Sequence, residues 1–225
     1  MWLDTPAQLL RTAALTPGSD ELRAQFPLLQ QAIHGAPLAY LDNAATTAMP
    51  LEVLHALQDF ETRRRANIHR GVHTLSQLAT DDFEAARATL KQFVGATAEH
   101  ELVFTSGTTE SLNLVAHGLW AGGPQQAGLR AGDEIIVSGL EHHANLLPWQ
   151  QAARQSGAVL RILRPDAQGR LHAADLQALL SPRTRVLALT ASANATGERP
   201  PYEDLLRMAA QAGALLMEGA GRVHA

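Results

Sequence analysis

The second half of the chain alternates between two patterns. From residue 101 onward, short continuously apolar runs at 102–104, 134–138, 159–163, 186–190 and 214–217 are separated by helical periodicity at 110–120, 145–156, 172–180 and 202–211. A strand that is apolar on both faces must be covered on both faces, and strands joined through helices pair in parallel. The pattern predicts an α/β fold, a mostly parallel sheet with helices on each side. In such sheets, binding residues gather beyond the carboxyl ends of the strands.

Composition narrows what that sheet can do. A chain of 225 residues can bury one substantial core. Its net charge of −4 gives no attraction to nucleic acid or to an anionic membrane. No run is apolar for long enough to span a bilayer, and the opening MWLDTPAQLL lacks the basic stretch of a signal peptide, so a cytoplasmic location is expected. The absence of cysteine excludes disulfides, a thiol nucleophile and thiolate metal sites within these residues. Lys91 is the single lysine, and it falls in a predicted helix among surface-type residues.

The first half reads less regularly. Residues 1–38 suggest an N-terminal arm, helical in part over 21–31, interrupted by Pro27 and packed by Phe26, Leu28 and Leu29; residues 39–225 then form the main domain. A very short strand is expected at 39–41, a turn around Asp42, Asn43 and Thr46, and a helix over 51–62 started by Pro50. The basic cluster 63–65 reads as a solvated helix end. His69 and His73 lie four apart, a spacing that could grip a metal on a regular helix, but Gly71 breaks the pattern and a polar loop at a site mouth fits better. A long amphipathic helix follows over 75–94.

Chemistry concentrates at the expected strand ends. After the first run, Ser106, Gly107, Thr108 and Thr109 lead into a helix whose first N–H groups have no acceptor within it, and its dipole favours an anion there. The plainer reading of Ser106–Glu110 is an ordinary helix cap. Glu141, His142, His143 and Asn145 follow the second run, Asn194, Thr196 and Gly197 the fourth, and Glu218 and Gly219 the fifth. An anion site, a histidine, a carboxamide and a carboxylate converging on one crevice suit a phosphorylated, aromatic, nitrogen-bearing ligand.

Taken together, YLDNAATT (40–47), NIHRGVHTLS (67–76), ELVFTSGTTESLNLVA (101–116), GDEIIVSGLEHHANLLPWQ (132–150) and SANATG (192–197) resemble the cysteine desulfurases of the class V aminotransferase family. The similarity extends to selenocysteine lyases, and runs from about Ala24 to the end of the chain. It implies the large domain of a fold type I pyridoxal-phosphate enzyme. Thr108 and Thr109 would hold the cofactor phosphate, and His142 would stack on the pyridine ring and relay protons. Asn194 would bond the ring hydroxyl, Glu218 would pair with the pyridine nitrogen, and His69 would lie on the substrate side. The substrate implied is L-cysteine or L-selenocysteine, with sulfur passed to an acceptor protein for iron–sulfur cluster assembly, in a homodimer.

Departures from the family pattern shape a second set of expectations. Glu218 stands where the family has an aspartate, and Gly221 where it has a glutamine. Neither the family's cofactor-bonding lysine segment nor its catalytic cysteine and carboxylate-binding arginine occur here. These residues are therefore expected to be the N-terminal part of a large domain, inactive alone, with the tail MEGAGRVHA marking a frame change or decay. The family pairs the first strand, here 102–104, with a strand this sequence lacks, so an open edge is expected. Three other readings stand beside this one: a transaminase or lyase of the same class, a non-catalytic remnant that binds the cofactor or a partner, and a metal-dependent hydrolase built on His69, His73, His142 and His143.

Overall fold

The computed structural model describes residues 19–122 and 128–218, which form two compact units, one up to Val103 and one from Phe104. The tail beyond Glu218, including Gly221, lies outside the described residues.

The first unit is helical with a minimal hairpin. Helix α1 (Ser19–Ala24) leads to a 3₁₀ turn at Pro27–Gln30, so Pro27 splits the expected 21–31 helix. Strands β1 (Ala32–Ile33) and β2 (Ala36–Pro37) pair antiparallel around His34 and Gly35, both at positive φ as a two-residue hairpin demands. The strand expected at 39–41 does not form. Its Leu41 is 93% exposed, and a strand needs a neighbour's ladder as well as apolar residues. Helix α2 (Leu51–Asp59) runs into a single π turn at Phe60–Arg64. The cluster 63–65 is neutralised locally: Arg63 pairs with Asp59, Arg65 with Glu61, and Arg64 with Asp82. Helix α3 (Thr74–Phe93) is capped by His73, whose Nδ1 accepts from the Ser76 N–H. It ends with Gly95 at φ +68°, Ala96 N–H bonding the Lys91 carbonyl and Gly95 N–H that of Gln92. That is the Schellman pattern.

The second unit carries the sheet. Helix α4 (Thr108–Ala121) precedes β3 (Glu134–Ser138), α5 (Leu147–Ser156), β4 (Val159–Leu163), α6 (Ala173–Leu179), β5 (Thr184–Leu189), α7 (Tyr202–Gln211) and β6 (Leu215–Glu218). The strand order is β4-β3-β5-β6 and every pairing is parallel. Alternate residues of the inner strands face opposite layers. Ile135, Val137, Val186 and Ala188 meet Ala116 of α4 and Trp149, Ala152 and Ala153 of α5. Ile136, Leu187 and Leu189 meet Leu176 of α6 and Leu205 and Ala209 of α7. This three-layer α/β arrangement is the one the alternating sequence predicts.

The run 102–104 is a correction: it is not a strand. Among the described residues no strand pairs with it, and Val103 is 66% exposed. Its Leu102 carbonyl accepts instead from the Arg87 guanidinium.

Glu134 fastens the amino end of the sheet. Though charged, it is 1% exposed, and it accepts from Arg161 Nη2 at 2.8 Å, Arg183 Nη2 at 3.0 Å and Ser181 Oγ at 2.7 Å. The Arg161 guanidinium, with the Ser181 hydroxyl next in effect, pulls its carboxyl down to about 2. Among the described residues, no helix is long and apolar enough to cross a membrane.

Candidate functional site

Strand order fixes where a crevice opens. From β3 the chain crosses to β4 on one side, while β5 lies on the other and leads outward to β6. The loops leaving β3 and β5 therefore part above their carboxyl ends, the topological switch point where ligands of open α/β sheets bind.

One wall of the neighbouring cleft is the start of α4. Gly107 precedes it with φ +154° and ψ 177°, a conformation essentially restricted to glycine. Glu110, one turn on, accepts from both the Ser106 N–H and the Ser106 hydroxyl at 2.6 Å. These bonds hold the Glu110 carboxyl below its ordinary range. Ser106 is thus consumed by the cap, while Thr108 and Thr109 sit exposed in the first turn, where backbone N–H groups have no intrahelical acceptor. Gly107→Ala is expected to cost about 1–2 kcal/mol from backbone strain alone. A methyl there would meet nothing within 4 Å, so a denaturation curve reads the backbone term cleanly.

The opposite wall is the loop after β3. His142, in extended conformation, caps a 3₁₀ turn at His143–Asn145, its Nδ1 accepting from the Ala144 N–H at 3.1 Å. A ring nitrogen that accepts a hydrogen bond carries no proton, so neutral His142 is protonated on Nε2. The His143 ring lies 6.0 Å away, tilted by 41°. Between the walls lies a cleft of about 510 Å³ lined by Thr109, Asn113, His142, His143, Leu147 and Gln151 among others.

The structure therefore brings Thr109 and His142 together, with Thr108 beside Thr109. Asn194 is exposed in the turn after β5, closed by Gly197 N–H on the Ala193 carbonyl at 2.7 Å, and does not line this cleft. Glu218 is the last residue of β6, in register with Leu189. His69 belongs to the first unit. Held at φ +64°, it donates its N–H to Thr80 Oγ1 at 2.9 Å, and its ring stands edge-on to Phe83 with Nε2 3.5 Å from Glu84. Among the described residues no group of three or more His, Cys, Asp or Glu side chains could hold a metal, and His73 is engaged as a helix cap.

Asn113 and Gln151 are cleft residues that strand-end reasoning missed. Each lies one helical turn after another residue of the lining, Asn113 after Thr109 and Gln151 after Leu147. The i, i+4 spacing on a helix already visible in the sequence is the signal that finds them.

The donor set fits a phosphate ester carried on a flat ring: the Thr109 hydroxyl and free helical N–H groups on one side, the His142 imidazole on the other. Lys91, the single lysine, belongs to α3 of the first unit and donates Nζ to the His100 carbonyl at 2.7 Å.

Known proteins resemble this chain in sequence and in fold. Residues 39–220 match the aminotransferase class-V family. The chain is 44% identical over 207 residues to a probable cysteine desulfurase of Vibrio cholerae, a match covering 91% of this chain and 50% of that protein. The apo structure of the cysteine desulfurase from Thermococcus onnurineus NA1 superposes with a TM-score of 0.78 at 36% identity, over 89% of this chain and 46% of that one. The S-sulfonic acid form of the cysteine desulfurase CsdA from Escherichia coli does so with a TM-score of 0.73 at 40% identity, over 88% and 47%. The chain spans about half the length of the curated relatives it matches.

Proposed function

The chain belongs to the aminotransferase class-V family, and from that premise we propose that its residues form the phosphate- and ring-binding half of a pyridoxal-phosphate-dependent cysteine desulfurase. The observation that carries the reading is the meeting of Thr109, in the first turn of α4, with His142 in one cleft. When bound, pyridoxal phosphate supplies an electron sink for the substrate Cα.

The chain's own residues do the holding. Thr108 and Thr109 take the phosphate through their hydroxyls and N–H groups, aided by the dipole of a 14-residue helix. His142 packs on the ring, and its Nε2 is the atom from which a proton can be passed on, since Nδ1 is fixed on Ala144. Asn194 is assigned to the ring hydroxyl, Glu218 to the pyridine nitrogen and His69 to the substrate side. For the whole protein we propose L-cysteine or L-selenocysteine as substrate, a protein acceptor for the sulfur, a homodimer and a cytoplasmic role in iron–sulfur cluster assembly. Persulfide chemistry needs a thiol, and these 225 residues contain none, so the function assigned to them is binding.

Titrating the full chain with pyridoxal phosphate, followed by its absorbance and by thermal stabilisation, tests this. The expected result is saturable binding that inorganic phosphate competes with, weakened about tenfold or more in the double variant Thr108→Val/Thr109→Val. A folded chain that gains no stability from the cofactor would overturn the reading.

A further inference from the structure

One side chain joins the two loops that part at the switch point, and none of the roles above uses it. The half-buried carboxylate of Glu141 accepts through Oε1 from the Ser138 hydroxyl at 2.5 Å and from the Thr190 backbone N–H at 2.6 Å. Its Oε2 accepts from Asn145 Nδ2 at 2.7 Å, and Asn145 Oδ1 in turn accepts from Trp149 Nε1 at 2.9 Å. Ser138 and Asn145 are each 2% exposed and Trp149 not at all, so this polar chain is anchored in the core at both ends. It ties the end of β3, the residue that follows β5 and the first turn of α5 to one carboxylate.

His142 is the next residue after Glu141. Its backbone is therefore clamped on one side by Glu141 and three residues on by Asn145, while its ring is pinned to the Ala144 N–H. Burial pushes the Glu141 carboxyl up, and the three donors only partly offset that cost. A fold that needed only a covered loop could put an apolar residue here; a carboxylate supplies direction as well as contact.

We propose that Glu141 is the positioning residue of the cleft: by locking the loop after β3 to the start of the loop after β5, it sets the His142 ring at its angle across from Thr109. The inference rests on the reading of the cleft as a ring-binding site, and Glu141 acts through His142 rather than by touching the ligand.

Glu141→Gln tests it with little change of shape. The amide oxygen can still accept from Ser138 and Thr190, but its NH₂ then faces Asn145 Nδ2, donor against donor. Rotating the Asn145 amide to relieve that would set its NH₂ against Trp149 Nε1. The full 225-residue variant is expected to bind pyridoxal phosphate about tenfold more weakly while binding inorganic phosphate as before, because the start of α4 is untouched. In ¹⁵N spectra, His142 Nδ1 is expected to lose the signature of an unprotonated, hydrogen-bonded nitrogen. Adding Asn145→Asp restores every donor–acceptor pair and is expected to restore both readouts.

Unchanged cofactor affinity and unchanged His142 ring signals in E141Q would overturn the proposal. Should E141Q fail to fold, Ser138→Ala removes a single donor, and an unaltered His142 signal there would overturn it equally. If the parent chain binds no pyridoxal phosphate yet E141Q shifts the His142 signals and the paired swap recovers them, the clamp stands and the cofactor reading falls.

Discussion

Trp149→Ala is expected to lower the free energy of unfolding by about 3–5 kcal/mol. The indole has no exposed surface and fills the layer where α5 meets β3, among Ile135, Val137, Ala116 and Ala152. Truncation removes that contact, and well-packed interiors collapse only partly around the hole. It also deprives buried Asn145 Oδ1 of its Nε1–H donor, a further cost because that oxygen has little access to water. Trp149→Phe separates the two effects: it keeps most of the ring volume and loses the N–H, so a smaller cost of about 1–2 kcal/mol is expected. Urea denaturation followed by far-ultraviolet circular dichroism checks both variants. A Trp149→Ala protein within about 1 kcal/mol of the parent would show that this layer is not the core.

The second large effect lies at the other end of the sheet and depends on pH. Glu134 has its carboxyl at about 2 in the folded chain against an ordinary 4.5, so its ionised form favours folding. That contribution is complete above about pH 4.5 and is lost as the pH falls toward 2. The displacement, at about 1.4 kcal/mol per pH unit, sets a ceiling of about 3 kcal/mol. Solvent screens the partners, Arg161 at 38% and Arg183 at 65% side-chain exposure, which reduces the expectation to about 2 kcal/mol. Glu134→Ala is expected to lose about that much at pH 7 and to show almost no deficit at pH 2. Denaturant midpoints measured at both pH values decide the matter, and a deficit independent of pH would assign Glu134 a purely steric role. Glu141 runs the other way. Its raised carboxyl favours folding in the protonated form, and that advantage is lost as the pH rises through its folded value.

The parts of the fold that depend on local pattern could be read from residues alone. Runs 134–138 and 159–163 and the helix 202–211 have the same bounds in the structure. The third strand of the sheet begins at Thr184 rather than 186, because polar Thr184 pairs with Glu134 at the clasp, and apolarity cannot reveal a polar residue that finds its ladder. Runs 39–41 and 102–104 failed for the converse reason: apolar residues become a strand only where a neighbouring strand offers its ladder. Thr109 and His142 were legible because a helix start and a strand end announce them. The bond from Glu141 to Thr190 spans 49 residues, and no periodicity carries it.

The order β4-β3-β5-β6 bears on how the sheet is made as well as on where it opens. Of these four strands β3 is synthesised first, and it is an inner one. Each later strand then joins an edge already present, β4 on one flank, β5 on the other and β6 outside that. None has to be inserted between two strands already joined, so the sheet can grow outward as the chain emerges from the ribosome, with β3, buried at every residue, sheltered first. In a nascent chain with β3, α5 and β4 clear of the ribosome, β3 is paired on one side, and its other side stays open until β5 arrives.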